Sequence, residues 1–181
     1  RGLGELTARI LACGDSKVLI TYHKGQSDAE HLVAALGDAI DLLHFDSQNP
    51  SSTALRIMRD FQPTHLFYFA TPPIQRQFSA KFNDQLYENF RSIYVTAFED
   101  LIRGLGIKVS FFPSTTFIDT NQSGFSEYIQ AKLDGENLCD ELSRLGHSQV
   151  FHQRLPPLVT DQTSETLGTD PSTNIPILLG I

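Results

Sequence analysis

The chain has 181 residues, the length of one typical domain, and 40% of them are hydrophobic, enough to form a single core. Fourteen Lys and Arg residues stand against 21 Asp and Glu residues, so the formal net charge is −7 and the sequence pI is about 5.2. This balance argues against a nucleic-acid or anionic-membrane partner that is held by overall positive charge.

Two kinds of apolar segment alternate along the chain. Short runs of β-branched and aromatic residues predict strands, and longer segments with apolar residues at helical spacing predict helices. The predicted strands are residues 18–22, 40–45, 65–70, 108–112 and 150–152. The predicted helices are residues 3–13, 28–36, 52–61, 84–105 and 126–145. We expect the strand aromatics Phe67, Tyr68, Phe69, Phe111 and Phe112 to form the core of the sheet.

Polar and glycine residues mark the ends of the predicted helices. Ser27 and Ser51 lie where N-terminal caps belong, and Gly14, Gly37 and Gly106 lie at C-terminal ends. Helices between consecutive strands require crossover connections, which produce parallel strand pairs. The sequence therefore predicts an α/β fold, a Rossmann-type doubly wound parallel sheet with helices on both faces, in a single domain over residues 1–181.

The two ends of the chain and its cysteines carry further expectations. The abrupt start at Arg1 and the apolar run at residues 175–181 predict a piece of a longer protein, whose first strand precedes residue 1. Cys13 and Cys139 show no CxxC spacing, which favours a reducing compartment, and we predict a cytoplasmic protein. Neither a membrane-spanning stretch nor a signal-peptide pattern is recognisable, and no histidine has metal-ligand spacing.

Ligands of open parallel sheets bind at the carboxyl ends of the strands, which draws attention to two hydroxyls and the helix after them. Ser114 and Thr115 follow a predicted strand, and Tyr128 and Lys132 lie four residues apart on one face of the next helix. A cation near a phenol lowers the phenol's pKa, which suits acid–base catalysis near neutral pH. YxxxK alone is a weak motif, because it also occurs on solvated helical faces.

In this context the pattern resembles the short-chain dehydrogenase/reductase family, and the resemblance covers almost the whole chain. Ser114 or Thr115, Tyr128 and Lys132 occupy the places of the family's catalytic Ser, Tyr and Lys. Spacing favours Thr115, whereas residue type favours Ser114. The resemblance implies reversible hydride transfer in which Tyr128 exchanges a proton with the substrate. It also implies that Lys132 lowers the pKa of Tyr128 and that the Ser or Thr hydroxyl stabilises the developing alkoxide.

The same resemblance implies a set of cofactor-binding residues. Residues 1–4 look like the end of the family's glycine-rich turn, where free N–H groups of the following helix bind a pyrophosphate. Asp46 corresponds to the acid against the adenine ring, and residues 69–71 replace the family's Asn-Ala-Gly segment. The implied cofactor-binding residues are Arg1, Gly2, Leu3, Gly4, His23, Lys24, Asp46, Ala70, Thr71, Pro156, Pro157 and Thr160.

The strand over residues 18–22 corresponds to the second strand of the family's fold. The charge of the residues that follow it predicts which nicotinamide cofactor is preferred. NAD sites usually place Asp or Glu there, but this chain has His23 and Lys24 and no acid. Arg1 and Lys24 are suited to flank a 2′-phosphate, so we predict that NADP(H) is preferred over NAD(H).

The resulting prediction is an NADP(H)-dependent oxidoreductase that reduces a carbonyl substrate. One alternative is an epimerase or dehydratase of the extended type. Another is a non-catalytic or carrier-linked, ketoreductase-like module of a larger synthase, since Tyr94 stands where many members have a helical Asn. We expect a small-molecule carbonyl substrate, bound to a carrier in the synthase setting, and a homodimer.

Overall fold

The computed structural model describes residues 2–79 and 81–157 and confirms the predicted alternation of helices and strands. The helices are α1 (Gly2–Cys13), α2 (Gln26–Leu36), α3 (Ser52–Phe61), α4 (Asp84–Arg91), α5 (Phe98–Leu105), α6 (Phe117–Thr120) and α7 (Ser126–Arg144). The strands are β1 (Val18–Tyr22), β2 (Ile40–His44), β3 (His65–Phe67), β4 (Val109–Thr115) and β5 (Gln149–Leu155). A short 3-10 helix at Gly37–Ala39 and a π-helical turn at Ser92–Ala97 complete the regular structure.

All strand pairs in the described residues are parallel, as the crossover argument predicts. β1 pairs with β2 in one sheet, and β3, β4 and β5 form a second sheet in that order. The chain divides into two compact units, the first including the segment that ends at Phe61 and the second spanning Gln62–Pro157. The predicted α/β class is therefore confirmed, whereas the single domain over residues 1–181 stays a prediction.

The first unit has a small core between its helices and its sheet. Ala8 of α1, Leu32 of α2 and Ile40 of β2 form its buried centre. The predicted cap at Ser51 is confirmed, because its Oγ accepts a hydrogen bond from the backbone N–H of Ala54 at 3.1 Å. The predicted cap at Ser27 is wrong. α2 begins at Gln26 with Gly25 as its N-cap, two residues before Ser27.

The second unit contains the longer helices and the larger core. α4, the π-helical turn and α7 contact one another, and α7 also lies against β4 and β5. Side chains alternate along β4, so that Ser110, Phe112 and Ser114 are all buried. Phe112 has no exposed surface and lies at the centre of this core.

Aromatic residues on the opposite side of β4 are not core residues. Phe67, Phe111 and Phe151 stand side by side in the register of β3, β4 and β5. Phe67 is 40% exposed and Phe151 is 53% exposed. The expectation that all strand aromatics pack in the core is therefore wrong for this row. The long helices of this unit pack on the other face of the sheet.

The predicted helix over residues 84–105 is interrupted in its middle by the π-helical turn. A π turn inserts one extra residue into the helical repeat and changes which side chains face inward. Ile93, Tyr94 and Ala97 are buried in this turn. No helix in the described ranges is long and apolar enough to cross a membrane.

Close packing of α7 on β4 predicts opposite effects for two helical Gly→Ala substitutions. A Cβ on Gly135 would lie 2.5 Å from Cζ of Phe112, whereas a Cβ on Gly104 would meet nothing within 4 Å. We expect Gly135→Ala to destabilise the protein by about 1–3 kcal/mol, because overpacking exceeds the gain in helix propensity.

Gly104→Ala is the matched control and should stabilise the protein by about 0.5–1 kcal/mol. Urea unfolding at pH 7 measures both free energies. A stabilised Gly135→Ala variant would show that α7 does not approach β4 this closely.

Candidate active site

The candidate site is formed where α7 packs along the carboxyl-terminal half of β4. β4 ends at Thr115, and α7 begins eleven positions later at Ser126. Tyr128, Lys132 and Glu136 follow one another on successive turns of α7, and all three are buried. The four-residue spacing that places Tyr128 and Lys132 on one face of α7 therefore continues for one more turn, to the carboxylate of Glu136.

The two candidate hydroxyls have different partners. The Thr115 hydroxyl lies close enough to the phenol of Tyr128 to act on its pKa, and its Oγ1 accepts a hydrogen bond from the backbone N–H of Phe117 at 3.2 Å. The Ser114 hydroxyl instead donates to Oε1 of Glu136 at 2.5 Å. The structure therefore places Thr115 beside Tyr128 and Ser114 on Glu136, and the choice of the catalytic hydroxyl stays a prediction.

Tyr128 lies in a largely aromatic environment. Its ring contacts those of Phe90, Tyr94 and Phe117 in edge arrangements, with centroids 5.6, 5.9 and 6.3 Å away. Burial raises the pKa of Tyr128, and the nearby Thr115 hydroxyl opposes that rise. The resemblance implies a lowered pKa, so in this structure the shift has the opposite direction.

Lys132 is a buried cation that is hydrogen-bonded to a backbone carbonyl. Its Nζ donates to the backbone carbonyl of Pro113 at 2.7 Å and lies 3.8 Å from the centre of the Tyr94 ring. Burial lowers the pKa of Lys132 to about 7, although the nearby carboxylate of Glu136 favours its charged form. The charge of Lys132 is therefore sensitive to pH near neutrality.

Tyr94 links the lysine to the segment after β3. Its hydroxyl lies 2.6 Å from Oγ1 of Thr71, one of the predicted cofactor-binding residues. Thr71 in turn donates to the carbonyl of Pro72 at 3.1 Å. The family resemblance implies that Tyr94 replaces a helical Asn, but nothing in the sequence indicated that its ring would face Lys132.

A second polar cluster was missed by the sequence analysis. Arg154 at the end of β5 donates from Nε to Oε1 of Glu136 at 2.8 Å and from its second terminal nitrogen to Oε2 at 2.6 Å. Its remaining terminal nitrogen donates to Asp119 of α6 at 2.5 Å. The pKa of Glu136 is lowered, chiefly by the hydrogen bonds from Arg154 and also by that from Ser114. The one available clue was the spacing of Glu136 four residues after Lys132.

In the first unit, three of the predicted cofactor-binding residues lie just after the carboxyl ends of β1 and β2. Nε2 of His23 lies 3.8 Å from Oδ2 of Asp46. Burial acts to raise the pKa of Asp46, but hydrogen bonds from Gln48 and Asn49 outweigh it and the pKa is lowered. Lys24 is exposed. His23, Lys24 and Asp46 are therefore available to a polar ligand.

The remaining predicted cofactor residues fall into three groups. Gly2, Leu3 and Gly4 form the first turn of α1, and the φ of 60° at Gly2 requires a glycine there. Ala70 is partly buried beside Thr71, and Pro156 and Pro157 follow β5. Arg1 and Thr160 lie outside the described residues. Across residues 2–79 and 81–157, no group of three His, Cys, Asp or Glu side chains is arranged to hold a metal ion.

No protein-family model and no curated protein matches this sequence, but solved structures match its fold. A short-chain dehydrogenase/reductase family protein has a TM-score of 0.73 at 20% identity, over 92% of this chain and 74% of that one. The oxidoreductase yciK from E. coli has a TM-score of 0.78 at 15% identity, over 99% and 84% of the two chains.

A third similar structure was determined with a bound cofactor. FolM, the alternative dihydrofolate reductase 1 from Brucella suis in complex with NADP, has a TM-score of 0.71 at 12% identity, over 87% of this chain and 68% of that one. At these identities the likeness establishes the fold. The chain therefore has the Rossmann-like fold of short-chain dehydrogenase/reductase proteins.

The cluster around Glu136 predicts a pH-dependent contribution to stability. Because the folded-state pKa of Glu136 is lowered, its contribution is present above the unfolded-state pKa and is lost as pH falls through the folded-state value. We expect Glu136→Gln to lower the urea midpoint clearly at pH 7, and this difference from the unsubstituted protein to shrink as the pH approaches 4.

Glu99→Gln is the matched control. Glu99 forms a short ion pair with Arg103 at 2.7 Å, but both side chains are about one-third exposed on α5. Exposed pairs of this kind contribute little, so the midpoint should hardly change at either pH. Equal effects of the two substitutions at pH 7 would contradict the assignment of a special role to the pair of Glu136 and Arg154.

Proposed function

We propose that the protein belongs to the short-chain dehydrogenase/reductase family and is an NADP(H)-dependent oxidoreductase that reduces the carbonyl group of a small or carrier-bound substrate. The observation that carries this proposal is the placement of the Thr115 hydroxyl beside the buried phenol of Tyr128 at the carboxyl end of β4, with Lys132 one turn further along the same helix. The similar fold of an oxidoreductase and of an NADP-bound reductase supports it.

Each polar side chain has a defined task in this reaction. The nicotinamide, when bound, supplies the hydride that becomes the new C–H bond of the alcohol. Tyr128 gives its phenolic proton to the carbonyl oxygen, which balances the negative charge that develops there. Thr115 donates a hydrogen bond to the same oxygen and stabilises the alkoxide character of the transition state.

Lys132 supports Tyr128 electrostatically in the proposed reaction. After Tyr128 has given up its proton, the protonated amine of Lys132 favours the resulting phenolate. The amine is held on the carbonyl of Pro113 and the ring of Tyr94, on the same face of α7 as Tyr128. Because the pKa of Lys132 is about 7, this support weakens as pH rises above neutrality.

The residues present suit a phosphorylated dinucleotide. The glycines at the start of α1 leave free backbone N–H groups for a pyrophosphate, and the positive end of the helix favours an anion. The end of β1 carries the exposed Lys24 and no carboxylate, which suits a 2′-phosphate better than a free 2′-hydroxyl. In the proposed complex, His23 and Asp46 contact the adenine, and Ala70, Thr71, Pro156 and Pro157 contact the nicotinamide half.

Two substitutions test the catalytic assignment. In a spectrophotometric NADPH assay against ketones and aldehydes, Tyr128→Phe should lower turnover by at least about 100-fold, because the proton donor is lost. Thr115→Val should lower turnover by about 100-fold or more, because one hydrogen-bond donor to the developing alkoxide is lost. NADPH affinity should remain nearly unchanged in both.

Ser114→Ala is the matched control for these variants. Its hydroxyl is already bonded to Glu136, so turnover should stay within a few-fold of the unsubstituted protein. Full activity of Tyr128→Phe, or equal losses in Ser114→Ala and Thr115→Val, would overturn the assignment of Thr115 and Tyr128.

The preference for NADP(H) has its own test in a titration followed by nicotinamide fluorescence. NADPH should bind at micromolar concentration and NADH much more weakly. Lys24→Ala should weaken NADPH binding by roughly tenfold and leave NADH binding unchanged, since one charge-assisted contact to the 2′-phosphate is removed.

Lys17→Ala is a matched control in the same unit, because Lys17 is exposed and lies 3.6 Å from Asp41, at the other end of β1. It should bind NADPH as the unsubstituted protein does. Equal affinity for NADPH and NADH would refute the predicted preference.

The second candidate function is a non-catalytic nucleotide-binding module of a larger synthase. It is favoured by the burial that raises the pKa of Tyr128 and by Tyr94, which replaces the family's helical Asn. This alternative predicts NADPH binding without reduction of any carbonyl substrate and no effect of Tyr128→Phe.

A further inference from the structure

The buried amine of Lys132 is surrounded by aromatic rings, which we call the aromatic box. Its Nζ lies 3.8 Å from the ring centre of Tyr94, 4.6 Å from that of Phe112 and 5.9 Å from that of Tyr128. The side chain is only 5% exposed. Among the described residues, the hydrogen-bond acceptor recorded for this amine is the carbonyl of Pro113.

Tyr94 provides the ring nearest to the amine in this box. It has no exposed surface, and its ring is stacked on Phe90 with an interplanar angle of 5°. It meets the Phe112 ring edge-on at 88°, and its hydroxyl is fixed on Thr71 at 2.6 Å. The π-helical turn at Ser92–Ala97 contains Tyr94, and such turns occur frequently at functional sites.

The box replaces part of the hydration that the amine loses on burial. An ammonium ion buried without compensation is strongly unfavourable, and one carbonyl satisfies only one of its three N–H groups. The face of an aromatic ring carries negative potential and attracts a cation, most strongly when water is excluded. A leucine or methionine in place of Tyr94 would provide volume but not this attraction.

We propose that Tyr94 is a positioning residue that acts in two separable ways: its ring face holds the charged amine of Lys132, and its hydroxyl holds Thr71 beside the same site. The inference rests on the proposed function only in assigning a task to Lys132 and Thr71. Tyr94 touches neither the transferred hydride nor the proton, and its effect on catalysis passes through these two residues.

The titratable groups that face Lys132 come from two elements. Tyr128, Glu136 and Cys139 belong to α7 itself, and Tyr94 belongs to the π-helical turn. β4 contributes an uncharged carbonyl and the Phe112 ring. Burial raises the pKa of both Tyr94 and Cys139, so these two groups remain neutral in the range where Lys132 titrates.

The test measures Lys132 in the cofactor-free protein by NMR of 13C-labelled lysine side chains. The chain contains five lysines, so Lys132→Met identifies the resonance by its disappearance. Tyr94→Met should lower the pKa of Lys132 by about one unit, because a desolvated cation–π contact is lost. Tyr94→Phe keeps the ring face and should leave the pKa of Lys132 unchanged.

Phe98→Met is the matched control for loss of a buried ring. Phe98 is also fully buried and contacts Phe112 at 5.2 Å, but in the described residues the rings recorded around Lys132 are those of Tyr94, Phe112 and Tyr128. This variant should lose stability without changing the pKa of Lys132. A shift in Phe98→Met equal to that in Tyr94→Met would overturn the specific role of Tyr94.

The hydroxyl is tested separately by methyl relaxation of Thr71. Tyr94→Phe removes the 2.6 Å contact, so the order parameter of the Thr71 methyl group should fall while the pKa of Lys132 stays unchanged. An unchanged order parameter would refute the second action of Tyr94 without affecting the first.

The unsubstituted protein gives an independent measurement if Tyr94→Met does not fold. Ring currents from the aromatic box should shift the ε-protons of Lys132 upfield from those of the other four lysines, and ordinary shifts would overturn the proposal.

A protein that shows the box but binds no nicotinamide nucleotide refutes the proposed function alone. A protein that reduces carbonyls without a pKa response to Tyr94→Met refutes this inference alone.

Discussion

The close contact between α7 and β4 is the constraint on which the rest of the second unit depends. Three consecutive residues of β4 meet three turns of the helix: the carbonyl of Pro113 accepts from Lys132, Ser114 donates to Glu136, and Thr115 lies beside the phenol of Tyr128. The helix approaches this closely because Gly135 has no side chain where the Phe112 ring lies. The site is thus a consequence of backbone packing.

This packing buries two groups of opposite charge, and the protein compensates each in a different way. Glu136 receives a two-pronged contact from Arg154, whose guanidinium remains partly exposed and also reaches Asp119. Lys132 is compensated mainly by aromatic rings and one carbonyl. A carboxylate with strong hydrogen bonds keeps its charge over a wide pH range, whereas a cation held by rings is closer to losing its proton. The two turns of α7 therefore respond differently to pH.

The difference between Ser114 and Thr115 shows how neighbouring hydroxyls acquire different tasks. Both are buried, and both follow the same strand. Ser114 faces Glu136, and its bond contributes to the cluster that ties α7, β4, β5 and α6 together. Thr115, at the last position of β4, reaches the phenol of Tyr128. In the proposed enzyme, Ser114 stabilises the packing of the helices and strands, and Thr115 takes part in the reaction.

The periodicity of the sequence by itself determined the order and the approximate positions of the longer helices and the strands, because the spacing of apolar residues and the positions of Ser51, Gly37 and Gly106 are local properties. The bounds were less well determined: β3 ends at Phe67 and not at residue 70, and β5 extends from Gln149 to Leu155 and not only over residues 150–152. It also placed Tyr128 and Lys132 on one helical face. Sequence alone did not predict the partner of Ser114, the pairing of Arg154 with Glu136, or the position of Tyr94 against Lys132. These contacts join residues from 18 to 38 positions apart, so they exist only after α7, the π-helical turn and β5 have packed on β4. Tertiary structure also decided the direction of the pKa shift at Tyr128, because the burial that causes the shift is a property of the assembled core.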